Sequence, residues 1–304
     1  MIVYRELSSL SRDLGISART LYAVSNNLGK HYRSVKLPKK SGGCRNLSVP
    51  DETLKSIQKR IADVLLIHMS VSRYAKAYRF GSSTLRNARC HVGKSVVLKL
   101  DILDFFDSIR YCAVKDKVFP AEIYAEPLRI LLTMLCYHKD ALPQGAPSSP
   151  AITNILLHDF DELVGQWCRN RGIAYTRYCD DMTFSGDFDP ADVIRFVRVE
   201  LKTMGFLLNQ QKTRIQRPGQ RQTVTGIVVN EKLSIPADYR RKLRQELYYC
   251  RKFGFREHLR KTGLEMPEEN YRMQLLGKVN YVLQASPDDT DFQKARNWLL
   301  QSIQ

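Results

Sequence analysis

Leu7, Leu10 and Leu14 recur at helical spacing, the rhythm stops at Gly15, and it resumes after Ser17. The pattern predicts two short helices in residues 5 to 28, with Ser17 capping the second. A helix-turn-helix of this kind can set its second helix on nucleic acid, but so short a pair is more often a packing brace. Residues 32 to 50 alternate instead. Val35 and Leu37, then Leu47 and Val49, flank Lys39-Lys40-Ser41-Gly42-Gly43, which predicts a β-hairpin. Leu54, Ile57, Ile61, Val64, Leu65 and His68 then restore the helical period over residues 52 to 68.

The middle of the chain is richer in strands. Val96-Val97-Leu98-Lys99-Leu100 is a strand-like apolar run that ends on Asp101. A helical stretch over residues 126 to 137 leads to Leu142-Pro143-Gln144-Gly145-Ala146-Pro147-Ser148-Ser149-Pro150, where two prolines and a glycine forbid regular structure. Ser148 or Ser149 is expected to cap the next helix, with Pro150 in its first turn. Ile152, Ile155, Leu156, Phe160, Leu163 and Trp167 form that helix's expected buried stripe. Residues 175 to 184 read as strand, tight turn at Asp180-Asp181, strand. A helix over Ile194 to Met204 follows, then Gly205-Phe206 with Asn209 and Lys212, and a strand over residues 223 to 229. From Pro236 onward the pattern is helical and basic. Helices, a hairpin, a strand-rich middle with helices to one side, and a helical tail make an α+β fold around a mixed sheet.

Charge narrows the partner class. Lys and Arg number 48 against 31 Asp and Glu, a formal net charge of +17, and a field of that sign suits a polyanion such as nucleic acid. Hydrophobic residues make up 43% of the chain, so the composition is that of an ordinary soluble domain. Cys44, Cys90, Cys112, Cys136, Cys168, Cys179 and Cys250 are scattered without zinc-type spacing and read as reduced thiols. With neither a signal peptide nor a membrane-spanning run in the sequence, a cytoplasmic location with no membrane partner is expected.

The chemistry sits in the carboxylates. Extending a nucleic-acid strand requires charge to be stabilised on both the attacking hydroxyl and the leaving pyrophosphate, which two Mg²⁺ ions about 3.5–4 Å apart accomplish. An aspartate at a strand end and two adjacent aspartates in a tight turn can converge on such ions. Asp-Asp in a turn has backbone reasons of its own, but like charges crowded between apolar strands are costly without a cation.

Tyr178-Cys179-Asp180-Asp181 resembles the Y-x-D-D signature of reverse transcriptases. Residues 142 to 150 are similar to that family's second palm motif, Asp101 to Phe106 to its first, and Gly205-Phe206 with Asn209 and Lys212 to its fourth. The hairpin from Lys39 to Arg45 resembles the fingers element that folds over the triphosphate. These motifs fall in the family's order over residues 32 to 230. Asn87-Ala88-Arg89-Cys90-His91 and Val224-Thr225-Gly226 look like the N-A-x-x-H and V-T-G motifs of bacterial retron reverse transcriptases. Cys179 departs from that group, which usually has Ala there.

The resemblance implies a right-hand polymerase: a helical segment at residues 1–30, fingers and palm at 31–235, and a basic helical thumb at 236–304. It implies two Mg²⁺ ions on Asp101, Asp180, Asp181 and the Ile102 carbonyl. Phe106 would sit under the incoming sugar and exclude a ribose hydroxyl. Gln144 and Gly145 would line the nucleotide pocket, Lys39, Lys40 and Arg45 would meet the triphosphate, and Lys212 could protonate the leaving pyrophosphate. Asn87, His91, Val224, Thr225, Gly226, Arg240, Arg241 and Arg244 become candidates for RNA contact. The implied partners are dNTPs, a cognate structured noncoding RNA as template and primer, the branched RNA–DNA product (msDNA), a separate antiphage effector and a host RNase H. The alternative within the family is another bacterial defence-type or group II intron-like reverse transcriptase.

Overall fold

The computed structural model describes residues 3–38 and 42–303. The fold is α+β, as the order of elements predicts. Helices Leu7–Leu14 and Ala18–Asn26 stand where the leucine rhythm puts them. Gly15 ends the first with φ +65°, a left-handed geometry that costs glycine nothing, and the Ser17 hydroxyl caps the second by accepting from the Thr20 N–H. Strands β1 (Tyr32–Pro38) and β2 (Cys44–Pro50) form the expected antiparallel hairpin, with Tyr32 opposite Pro50 and Pro38 opposite Cys44.

A four-stranded sheet lies at the centre of the sequence. Its strands are β3 (Val96–Asp101), β4 (Ala174–Tyr178), β5 (Asp181–Gly186) and β6 (Arg214–Gln216), hydrogen-bonded in the order β4-β5-β3-β6. Val97, Leu98, Leu100, Met182 and Phe184 are all buried, which is why these runs read as continuously apolar rather than alternating.

Three stretches differ from the sequence pattern. Residues 52 to 68 are not one α-helix: Glu52–Arg60 is α-helical, Ile61–Leu65 widens into a π turn, and Leu66–His68 tightens into a 3₁₀ turn that leaves His68 exposed. The expected helix after Pro150 breaks at Leu157 into Ser149–Leu156 and His158–Arg169. That break rotates the second half, so Leu163 is exposed and Asp161, Val164, Gly165 and Cys168 face inward. Residues 223 to 229 form a tight hairpin rather than one strand: β7 (Thr223–Val224) pairs antiparallel with β8 (Ile227–Val228). Thr225 and Gly226 have φ of +46° and +82°, the paired left-handed turn that matches strand twist in a two-residue connection.

The chain divides into two compact units. One comprises residues 1–81, 99–183 and 189–214, the other 82–98, 184–188 and 215–304. In the second, helices Ala237–Phe253, Phe255–Thr262, Glu268–Ala285 and Thr290–Ile303 bury Leu243, Leu247, Tyr271, Leu275, Val279 and Phe292, and Leu85, Ala88, Val224 and Ile227 belong to the same core. Among the described residues, no helix is long and apolar enough to cross a membrane.

Gly165 tests the packing of the first unit. A Cβ there would stand 2.1 Å from Cε2 of Tyr74, whose hydroxyl accepts from Arg169 at 2.6 Å. Gly165→Ala gains about 1 kcal/mol of helix propensity but forces an overpacked contact that costs about 1–3 kcal/mol. Thermal denaturation should show a lowered Tm; a raised one would mean that the Tyr74 ring moves aside freely.

Candidate active site

Strand β3 carries Asp101 to its C-terminal end, where the side chain is 6% exposed. The turn between β4 and β5 carries Asp180, and Asp181 opens β5. Backbone bonds draw these ends together: the Ile102 N–H donates to the Asp180 carbonyl at 3.3 Å, and the Asn209 N–H to the Asp101 carbonyl at 2.8 Å. Leu103 donates to the Leu207 carbonyl at 2.8 Å, so the Gly205–Lys212 segment is fastened along the residues that follow β3. This brings Lys212 to Asp101, with Nζ 2.8 and 2.9 Å from the two carboxylate oxygens. Ile102 is buried beside the pair.

The electrostatics follow from that crowding. Burial pushes the Asp180 carboxyl up, and the Asp101 charge adds to the shift. Asp181 is exposed as a residue, yet its carboxyl is pushed from the ordinary 3.8 to about 6 by loss of water and then by Asp180 and Asp101. Partial burial works against the Lys212 ammonium, but Asp101 outweighs it, so this lysine holds its proton more firmly than a free one. Cys179, at φ +61°, is buried, and burial pushes its thiol up to about 11. Its Sγ accepts from the Tyr78 hydroxyl at 3.5 Å.

The proposed nucleotide pocket is tied to this centre by main-chain bonds. Leu142 donates to the Phe106 carbonyl at 3.1 Å, and Ser48 of β2 donates to the Gln144 carbonyl at 3.0 Å. Gly145 has φ +120°, and a Cβ on it would stand 3.1 Å from the Ser48 carbonyl oxygen, so the hairpin and the Gln144-Gly145 loop require glycine there. Phe106 is half-buried, its ring edge-on to Phe105 at 5.5 Å. Arg45 is exposed on β2; Lys39 and Lys40 lie outside the described residues.

The candidates for RNA contact belong to the second unit. Asn87 and Val224 are buried and His91 is fully buried, bonded through Nδ1 to the Ser185 hydroxyl at 2.7 Å. Asn87 Nδ2 reaches the Thr225 hydroxyl at 3.5 Å, and that hydroxyl donates to the Thr84 carbonyl at 3.1 Å. The two short motifs are thus packed on each other. Expected at an RNA surface, Asn87, His91 and Val224 are interior instead: the Asn87 amide serves Thr225 of the turn, the His91 ring serves Ser185 of β5, and Val224 packs in the hydrophobic core; Gly226 is exposed. Arg240 and Arg244 approach Asp289 at 3.9 and 3.6 Å, and Arg244 also approaches Asp291 at 3.7 Å. Arg241 is exposed on the same helix as Tyr248, Tyr249 and Lys252.

The chain matches the reverse transcriptase (RNA-dependent DNA polymerase) family over residues 37–229. It is 32% identical to the retron Mx65 reverse transcriptase of Myxococcus xanthus, an alignment covering 95% of this chain and 70% of the relative. To the retron Ec86 reverse transcriptase of Escherichia coli it is 30% identical, over 85% of this chain and 82% of the relative. The chain belongs to the retron reverse transcriptases. Among solved structures it is similar to an apo telomerase from Candida tropicalis truncated from its C-terminal domain, 15% identical, covering 67% of this chain and 55% of that one, TM-score 0.48.

As a retron reverse transcriptase the chain is an RNA-directed DNA polymerase, and its family uses divalent cations. The donor set fits such a cation: hard carboxylate oxygens, short of water and mutually repelling, whose excess charge is offset in part by Lys212 on Asp101 and by Lys99 near Asp181. Among the described residues no group of three or more His, Cys, Asp or Glu side chains is arranged to hold a metal ion by itself. A hard divalent cation can be held by one or two carboxylates, with water and substrate phosphate completing its shell.

Sequence reasoning passed over Arg177 and Asp161, which the structure places behind the turn, and the Ser48–Gln144 link. The first two had a signal: Asp161 falls at the helical spacing of the buried Val164 and Cys168, and Arg177 falls inside an apolar strand. The link is a main-chain bond and has no sequence signal.

A carboxyl whose pKa is higher folded than unfolded binds more protons in the native state, so its contribution to stability falls as pH rises through that interval. For Asp181 the interval runs from 3.8 to about 6. In metal-free protein, Asp181→Asn should leave Tm nearly unchanged at pH 4 and raise it above pH 6, with Mg²⁺ shrinking the difference. A Tm difference independent of pH would show that Asp181 is not crowded by its neighbours.

Proposed function

We propose that Asp101, Asp180 and Asp181 hold two Mg²⁺ ions for DNA synthesis on a cognate structured noncoding RNA, starting from a 2′-hydroxyl of that RNA. The product is then a branched RNA–DNA molecule. The observation that carries this reading is the convergence of the three carboxylates at the ends of β3 and β5, with Lys212 on Asp101. When bound, the cations would stabilise charge on the attacking oxygen and the departing pyrophosphate.

The chain's own groups do the rest. Asp101 and Asp180 serve as shared ligands, Asp181 stands beside them, and the Ile102 carbonyl supplies a further oxygen. Lys212, protonated and next to the carboxylates, is released from Asp101 as the site fills and becomes the proton donor for pyrophosphate. Phe106 supports the deoxyribose and excludes a 2′-hydroxyl. Gln144 and Gly145 line the pocket, and their bond to Ser48 couples it to the hairpin whose Lys39, Lys40 and Arg45 meet the triphosphate.

Residues 31–235 act as fingers and palm, 236–304 as thumb, and 1–30 as a brace. On the thumb, the exposed face with Arg241, Tyr248, Tyr249 and Lys252 follows the nucleic-acid backbone, while Asn87 and Val224 act on RNA indirectly by holding the Thr225–Gly226 turn in place and His91 does so by bracing Ser185 of β5. The enzyme works in the cytoplasm beside an antiphage effector, and a host RNase H removes the template.

Sequencing the nucleic acid that co-purifies with the protein tests this reading: one discrete RNA–DNA hybrid with a 2′,5′ branch is expected, and a heterogeneous RNA population would overturn it. Asp101→Asn or Asp180→Asn should abolish primer extension with Tm retained; extension at the wild-type rate would remove these residues from the site. Phe106→Ala should lower the dNTP/rNTP selectivity at least about tenfold, since one steric contact of this size is worth about 1–3 kcal/mol. An unchanged ratio in the folded variant would make Phe106 a packing residue only.

A further inference from the structure

Arg177 lies at the end of β4, two residues before Cys179, and is completely buried. Its Nε meets both oxygens of Asp161 at 2.9 and 3.1 Å, and Nη2 meets Asp161 Oδ2 at 2.6 Å. Asp161 is fully buried too, and accepts from the Tyr175 hydroxyl at 2.8 Å. Nη2 also reaches Asn154 Oδ1 at 3.3 Å, and Asn154 donates to the Ala77 carbonyl at 3.0 Å. At the other end of the guanidinium plane, Nη1 donates to the carbonyl of Cys179 at 2.8 Å.

Such a group is expensive to keep. A buried ion pair loses more hydration than it regains unless its geometry is close to ideal, and an apolar pair of similar volume often serves stability as well or better. An apolar pair could fill the space between β4 and the His158–Arg169 helix, but it could not donate to the Cys179 carbonyl. Cys179 needs holding: at φ +61° it sits in the left-handed region, which a residue with a Cβ occupies only when its surroundings compel it. Its side chain is held from the same network, since Ala77 accepts from Asn154 and the neighbouring Tyr78 donates to Cys179 Sγ at 3.5 Å.

We infer that Arg177 is a positioning residue for the catalytic turn: with its charge matched by Asp161, it anchors the Cys179 carbonyl and so sets where Asp180 and Asp181 stand. This rests on the reading of those aspartates as metal ligands. Arg177 touches neither metal nor substrate; it acts through one peptide carbonyl.

Two variants separate positioning from folding. Arg177→Lys keeps a cation for Asp161, but a single nitrogen cannot stand at both ends of the guanidinium plane. Arg177→Met combined with Asp161→Leu removes the charges together and preserves the packing. Each is compared with wild type for Tm, kcat, the KM for dNTP and Mn²⁺ affinity, the last read as loss of the free-ion signal in electron paramagnetic resonance. The expected result is a kcat lowered about 10- to 100-fold, the scale of a small misplacement of catalytic groups, with weakened Mn²⁺ binding and little change in KM. Wild-type kcat and Mn²⁺ affinity in either folded variant overturn the inference, and if the double variant fails to fold, Arg177→Lys decides alone. Asp180→Asn in parallel keeps the two readings apart. An active Asp180→Asn removes the metal-site reading itself, whereas an inactive one beside a normal Arg177→Lys removes only the positioning role.

Discussion

Carboxylates gathered at the ends of apolar strands repel one another, and the chain has to hold them close all the same. Much of the first unit follows from that constraint. The sheet brings Asp101 and the Asp180–Asp181 turn to one place, main-chain bonds from Ile102 and Asn209 fix the approach, and Lys212 partly balances the charge. Behind the turn, a buried cation and its matching carboxylate occupy space that hydrophobic side chains could have filled. Close packing alone does not call for this arrangement.

What could be read in the sequence was what repeats or stands out in one dimension. The leucine rhythm of residues 7 to 14, the alternation through Val35 and Leu47, and the apolar run into Asp101 all became the predicted elements. The aspartates were legible because charges in a tight turn between apolar strands call for an explanation. The break at Leu157 was not legible, since Ile155, Leu156 and Phe160 fit one continuous helix and only tertiary packing makes the chain change direction. The π turn at Ile61–Leu65 escaped for a related reason: one widened turn shifts the helical phase too little to disturb a short pattern.

The Asn87–His91 and Val224–Gly226 motifs show how a recognisable motif can mislead about location. Both stand out in the sequence, yet their most characteristic side chains point into the second unit's interior. Thr225 explains the pairing: its hydroxyl lies between Asn87 and the Thr84 carbonyl, and the left-handed turn needs glycine at position 226. A polar residue in a motif can be there to shape a surface turn rather than to touch what that turn meets.

The pairing of Arg240 and Arg244 with Asp289 and Asp291 changes what the basic tail brings to a polyanion. Free surface arginines carry loosely held anions from solution, and their release on binding makes affinity fall steeply with salt. Here the anions are part of the chain. A phosphate arriving at either arginine has to displace a tethered carboxylate, so the exchange liberates no small ion and yields little entropy. The formal charge of +17 therefore overstates the pull of this end of the molecule, and Arg241, exposed and without an ion pair among the described residues, weighs more in that balance than its neighbours.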